Sequence, residues 1–470
     1  MKLATLDDPV RLSWITDQGA RLDPGPYVSA AYAARMHLRR VPCTVPLREV
    51  TERIFHPGRI RRQWTAHADF GVPFVGSADI FEADLSYLPL ITRRAYESNS
   101  RLPLEPGWTL VTRSGMTAGR VTYARHSMRG YACSEDVLRV VPNLARIPSG
   151  YLYTYLASRY GIPIIKGGIY GTSVRHIEAE HIADLPVPRF DDSVEKDIDA
   201  LIADAMVLRQ YYEDEVKAAT SALFASAGLP ELASITRGSW PRAKPSEAWD
   251  VDATSLRALN YDSRVKVVAD AIRSGPHRVL GEICKGGEFS RGSRFTRIPA
   301  QSNDGHWLVG QEQLFWMRPY GRMVALPASK ADQLKVKDET VMVAAQGLLT
   351  DKSLIGRAGF LSEQWRSRFI FSEHLLRIRP GCDDFSAAYL YGFMRSEVSF
   401  RMMRSLCAGT GPQDINSILR QRVPVPECSP TDRERIAEII RQAYRDRDEA
   451  DRKEDQAFAL LDDAMREAAR

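Results

Sequence analysis

The chain has few cysteines and no pattern in them. Cys43, Cys133, Cys284, Cys382, Cys407 and Cys428 are scattered over 470 residues without one Cys-x-x-Cys pair. That spacing supports neither a disulfide framework nor a zinc site, so the expected compartment is the reducing cytoplasm. No apolar run approaches the roughly 18 residues of a membrane-spanning helix, and Met1-Lys2-Leu3-Ala4-Thr5 leads into no signal-peptide core. Neither membrane insertion nor secretion is expected.

Catalytic signatures are equally scarce. There is no Asn-Pro-Pro-Tyr or Asp-Pro-Pro-Tyr of the kind an amino-methyltransferase uses, no glycine-rich cofactor loop and no Gly-x-Ser-x-Gly elbow. Gly347 to Ser353 ends in Asp351-Lys352-Ser353 but lacks the second glycine of a phosphate loop, and reads as a solvated turn. His176 and His181 are five apart, so one helical face does not offer both to a metal, and they read as surface histidines. The expectation is a chain with no catalytic residue, no metal and no cofactor of its own.

What the sequence does have is a long echo. Residues 134–188 and 372–426 align without a gap at an offset of 238, with 15 identities in 55 pairs, where chance gives roughly 3. Ser134-Glu135 returns as Ser372-Glu373, Leu138-Arg139 as Leu376-Arg377, and Tyr151-Leu152-Tyr153 as Tyr389-Leu390-Tyr391. Gly171-Thr172 returns as Gly409-Thr410, and Pro186-Val187-Pro188 as Pro424-Val425-Pro426. Earlier in each half, Pro46-Leu47-Arg48-Glu49-Val50 parallels Val279-Leu280-Gly281-Glu282-Ile283, and Gly76 parallels Gly310. Two copies do not make a solenoid; they make two similar domains.

After each copy comes an acidic helix. Ile198, Leu201, Ile202, Ala205, Leu208, Tyr212, Val216, Ala219 and Leu223 recur at threes and fours, with Asp191 and Asp192 at the start and Gly228-Leu229-Pro230 as the stop. Ser429-Pro430 opens the second helix, where Ile436, Ala443, Ala450, Ala457 and Ala464 repeat every seven residues beside Ile439, Ile440, Leu460 and Leu461. The spacing predicts an antiparallel coiled-coil pair about 50 Å long, roughly one and a half turns of B-DNA. Residues 191–227 carry a net charge of −6 and residues 429–470 a net −3, so the rest of this +5 chain carries +14. Basic bodies suit a polyanion, and acidic helices suit a protein partner.

The bodies, 1–190 and 229–428, read as mixed α and β, with short strands such as 108–112 and 340–343, and short helices at 150–160 and 386–398. Residues 229–250, with Pro230, Trp240, Pro241, Pro245 and Trp249, read as a linker into the second copy. The fold class is α+β: two duplicated domains separated by long helices at 191–228 and 429–470. Guanidinium groups interleave with aromatics along both bodies. Arg59, Arg61, Arg62, Arg93, Arg94, Arg113 and Arg120 in the first, and Lys285, Arg291, Arg294, Arg297, Arg357, Arg366 and Arg368 in the second, are the candidate DNA-binding residues. Arginine forks fit both phosphate oxygens and the O6/N7 edge of guanine, and about a third of these should touch nucleic acid.

Taken together, the chain resembles specificity subunits of type I restriction-modification systems. The resemblance rests on residues that occur twice: a short helix (Tyr151–Tyr160; Tyr389–Val398), a Gly-Thr turn followed by Ile (Gly171-Thr172…Ile177; Gly409-Thr410…Ile415), Pro-Val-Pro and a long helix. Arg21-Leu22-Asp23…Tyr27 before Val45-Pro46-Leu47-Arg48-Glu49-Val50 is similar to the family's lead-in. The resemblance implies two target-recognition domains, each reading half of a split duplex-DNA target across a helical spacer. It also implies docking of adenine methyltransferase subunits, with S-adenosylmethionine and ATP held by partner subunits, and of restriction subunits where present. One departure is that Asp192-Ser193-Val194-Glu195 and Pro430-Thr431-Asp432-Arg433 lack the family's Glu-Gln. The competing reading is an interaction scaffold of a related defence complex without sequence preference.

Overall fold

The computed structural model describes residues 10–17, 22, 27, 30–169, 176–236, 240, 254–300, 305–350 and 353–470. Gly171-Thr172-Ser173, Arg21 and Asp23, the linker residues Pro241, Pro245 and Trp249, and Asp351-Lys352 lie outside the described residues. The chain is mixed α/β and divides into two compact units: residues 1–210 with 449–470, and residues 211–448.

In the first unit, one antiparallel sheet runs in spatial order Thr51–Phe55, Val137–Pro142, Thr109–Thr112, Val121–Tyr123. A second sheet runs Trp64–Thr65, Leu90–Thr92, Gly71–Val75, Ala132–Cys133, with its last pairing parallel. Thr44–Pro46 pairs with Pro186–Pro188, setting Val45 opposite Val187. The second unit has the same orders: Glu288–Arg291, Leu375–Arg379, Val341–Ala344, Ala358–Phe360, then Ile298–Pro299, Arg322–Ala325, His306–Val309, Phe369–Phe371, the last pairing again parallel. His277–Val279 pairs with Pro424–Pro426. A further three-stranded sheet of Gln346–Gly347, Gln413–Ile415 and Cys407–Ala408 belongs to the second unit.

The repeated residues hold equivalent joints. Ser134 N–H donates to the Val75 carbonyl (2.9 Å) and Ser372 N–H to that of Val309 (3.0 Å), fixing the end of each parallel pair. Leu47 N–H donates to Leu185 and Leu280 N–H to Val423, both at 2.9 Å. The Tyr151 hydroxyl donates to the Pro188 carbonyl (2.5 Å) and that of Tyr389 to Pro426 (2.9 Å), so the repeated tyrosine pins the repeated Pro-Val-Pro strand. Burial pushes both phenols well above their ordinary range, so they stay protonated donors. Where the sequence predicts one helix over 386–398, two occur, Ala387–Met394 and Glu397–Ser405. Ser396 stops the first by capping the second, its side chain accepting the Ser399 N–H at 3.1 Å.

The long helices span Asp192–Ser226 and Pro430–Ala468. Gly228 ends the first at φ +72°, where a side chain would be strained, and Leu229 N–H closes back on Phe224 at 2.8 Å. Ser429 caps the second, accepting the Asp432 N–H at 3.1 Å ahead of Pro430. Ile198, Ile202, Ala205, Tyr212, Val216, Ala219 and Leu223 are buried, as are Ile436, Ala443, Ala450 and Ala457. Further along, Ala464 is only half-buried and Leu460 exposed, and the buried row passes to Leu461 and Met465. A straight helix drifts about 20° per heptad from a seven-residue column, which accounts for the change.

Within the first unit, Asp204 meets Lys453 (2.9 Å) and Arg209 meets Asp451 (2.9 Å) and Glu454. Within the second, the rings of Tyr212 and Tyr444 lie 5.2 Å apart edge-on, and Arg435 donates to the Ser226 hydroxyl at 3.3 Å. Rising numbers on one helix meet falling numbers on the other, so the helical segments run antiparallel inside each unit. In the first unit Ile198, Ile202, Ala457, Leu461 and Met465 join Leu47, Leu138 and Leu152 in one core.

Candidate nucleic-acid interface

Five of the predicted arginines of the first unit lie at one sheet edge, while Arg48, Arg53, Arg101, Arg129 and Arg146 are exposed elsewhere. Strand Trp64–Thr65 is the outermost of its sheet, and Thr92 N–H bonds back to the Gln63 carbonyl at 2.8 Å. Thr92 then caps a one-turn helix, Arg93–Glu97, by accepting the Ala95 N–H. The sequence 59–64 and the turn 93–94 are thereby held side by side. Arg59, Arg61 and Arg94 are exposed, and among the described residues their guanidinium groups have no partner. Arg93 is anchored through Nε to the Asp69 carbonyl (3.0 Å). Beside them Trp64 is 51% exposed, its ring edge-on to Phe74 at 5.3 Å, and Phe70 is 67% exposed. Free cations with exposed flat rings on one edge are the chemistry of a nucleic-acid surface.

The corresponding edge of the second unit is strand Ile298–Pro299. Arg294 leads into it and is exposed, as is Lys285 on the loop before Glu288–Arg291; neither side chain has a partner among the described residues. Ile298 is its exposed apolar side chain, and Trp307 is exposed two strands further in, on His306–Val309. Arg291 is paired with Asp414 at 2.7 Å.

Other predicted arginines serve the fold. Arg113 forks onto Glu178, with Nε 3.1 Å from Oε2, and His56 Nε2 lies 3.5 Å from the same carboxylate. Burial, then the neighbouring Arg113 charge, lowers the His56 pKa and favours the neutral ring. Arg357 is buried with its guanidinium over Phe315 at 4.7 Å, and Arg120 stands over Phe81 at 5.7 Å. Arg366 closes on Glu363 of its own turn (2.7 Å), and Arg368, exposed, lies over Phe369. The predicted set is thus dispersed, with Arg59, Arg61, Arg62, Arg93 and Arg94 brought together and Arg113, Arg120 and Arg357 drawn into the fold.

Arg62 and Arg297 form a third class. Arg62 Nη2 donates to both Glu135 oxygens (2.9 Å each) and reaches Ser134 Oγ at 3.5 Å, with the guanidinium 5.1 Å over Phe74. Arg297 Nη2 donates to Glu373 (2.6 Å) and Ser372 Oγ (3.3 Å), 5.6 Å over Phe295. The repeated Ser-Glu therefore grips an arginine in each unit. The sequence marks the dipeptide and both arginines but not their pairing, because the arginines sit at an offset of 235 and escape the ungapped alignment.

A set of buried cations also escapes the sequence reading. Arg139 is fully buried and donates to the carbonyls of Cys133 (2.6 Å), Val137 (2.7 Å) and Ser134 (2.9 Å), and burial still lowers its pKa. Arg209 is 4% exposed and spans Asp451, Glu454 and the Tyr123 hydroxyl. Arg447, 238 residues later, lies 3.9 Å over Trp365 and donates to the carbonyls of Trp316 and Met317, where Arg209 uses carboxylates. Recurrence at the repeat offset is the signal that marks both in the sequence.

No protein-family model matches the chain, and no curated protein does. Solved structures similar to it include the S subunit of a type I restriction-modification system from M. genitalium, 11% identical, covering 91% of this chain and 95% of that one, with a TM-score of 0.33. The HsdS subunit from Thermoanaerobacter tengcongensis is 13% identical over 90% and 96%, with a TM-score of 0.27. A chain from a structural study of assembly and conformational transition of the type I R-M system is 14% identical over 90% and 98%, with a TM-score of 0.28.

Proposed function

We propose that this chain is a sequence-specific duplex-DNA recognition subunit that directs a methyltransferase complex, and restriction subunits where present, to a two-part target. Its domains are two duplicated target-recognition bodies, 1–190 and 229–428, with the helices at 191–228 and 429–470 as an antiparallel coiled coil. The observation that carries the reading is the recurrence, at the outer edge of the same sheet in each unit, of exposed arginine beside exposed apolar side chains (Arg59, Arg61, Arg94 with Trp64; Arg294 with Ile298). Equal strand orders support the duplication, and the +14 charge outside the helices supports a polyanion. The acidic helices are proposed to dock adenine methyltransferase subunits. Those partners hold S-adenosylmethionine, and the restriction subunits ATP. On this reading the chain supplies no catalytic group and works in the cytoplasm.

A selection from a random duplex library, using the full chain purified with the methyltransferase encoded beside it, tests the proposal. Two short enriched blocks around a fixed gap support it. Tight binding without a motif points to the scaffold reading instead, and no duplex retained at low salt removes the nucleic-acid reading.

A further inference from the structure

We infer that Arg62 and Arg297 are the guanine-reading residues of the two units, each pre-oriented by its repeated Ser-Glu pair, while the unclamped arginines contact phosphate. The inference rests on the DNA reading proposed above. Two observations carry it. The same grip is built twice: an arginine from the stretch before the edge strand, held through Nη2 by Glu135 or Glu373, and lying over a phenylalanine that comes from an inner strand in the first unit (Phe74) and from the arginine's own stretch in the second (Phe295). Both arginine side chains stay partly exposed, at 35% and 28%, with Nη1 free of any partner among the described residues.

Charge separates the two roles. Paired with a carboxylate, Arg62 contributes nearly no net charge, which makes it a poor neutraliser of phosphate. A guanidinium fixed in plane by a carboxylate and a ring has instead lost its rotamer freedom in advance, and its free end meets the acceptors O6 and N7 of guanine. Arg59, Arg61, Arg94 and Arg294 have the opposite character, full charge and no fixed orientation, as phosphate contacts require.

The test repeats the library selection with the full chain carrying Arg62→Lys or Arg297→Lys, and with Glu135→Gln and Glu373→Gln as variants that keep the arginine but loosen its clamp. Each lysine variant should lose about five- to hundredfold preference for guanine at one position, in one block only, the block differing between the two. The glutamine variants should weaken the same positions and, because they release the arginine's charge, leave the salt dependence of binding no shallower. Unaltered motifs in both lysine variants overturn the inference and leave the DNA reading standing. A uniform loss at all positions with a shallower salt slope reassigns these arginines to phosphate, and a fall in melting temperature with both blocks equally weakened makes them structural; either outcome overturns it. Failure of the unaltered chain to enrich any motif removes the DNA reading itself, and this inference with it.

Discussion

At the scale of single residues, one amino-acid type performs three separable tasks, and its surroundings decide which. An arginine with no partner is a mobile charge; replacing Arg59, Arg61 and Arg94 together by alanine should flatten the log–log salt dependence of duplex binding by about 0.9 for each phosphate no longer neutralised. Fluorescence titration over a salt series measures it, and melting temperature should hardly move. Arg113→Ala should do the reverse, costing about 1–2 kcal/mol by urea unfolding through loss of the Glu178 fork, with the salt slope intact. Cysteine follows the same logic of surroundings. Cys43 is exposed, whereas burial raises the Cys284 and Cys407 thiols to about 12. A thiol raised that far stays protonated and unreactive at a labelling pH of about 8. Native thiol labelling there should modify Cys43 rapidly and the half-buried Cys382 more slowly, with Cys133, Cys284, Cys407 and Cys428 reacting only on unfolding.

At the scale of elements, the first long helix depends on two glycines for different reasons. Gly228 needs its positive φ but has open space around it, so Gly228→Ala should cost about 1 kcal/mol. Gly150 lies against the first long helix, where an added Cβ would stand 2.8 Å from Ile202 Cβ and 3.0 Å from the Asp199 Cα, so Gly150→Ala should cost about 1–3 kcal/mol by overpacking. Denaturant unfolding of both variants separates conformational strain from steric crowding. The helices are legible in sequence because their apolar residues recur with the helical period over many turns. The sheets are only partly so: the strands read at 108–112 and 340–343 occur as Thr109–Thr112 and Val341–Ala344, but Val137–Pro142 is buried at all six positions, so no alternation marks it, and several strands are only two or three residues long. The candidate site is legible as a set of arginines but not as a surface. Arg113 meets Glu178 and Arg62 meets Glu135 over some 65 and 73 residues of intervening chain, and composition contains no trace of such pairs.

For the whole molecule, the first unit is assembled from both ends of the chain. Arg209 is satisfied by Asp451 and Glu454, so Glu454→Ala leaves a buried cation short of a partner and should cost about 3 kcal/mol in that unit. Limited proteolysis should then release fragments from residues 30–169 before any from 254–428. Exchange of one body for another should change one block of the selected motif and leave the second block as it was.

The same discontinuity sets a timetable for biogenesis. Ala457, Leu461 and Met465 belong to the core of the first unit, yet 238 residues of the second unit are translated before them. At ordinary elongation rates the ribosome takes on the order of ten to fifty seconds over that stretch. Throughout that interval the nascent first unit waits with an apolar groove open to water.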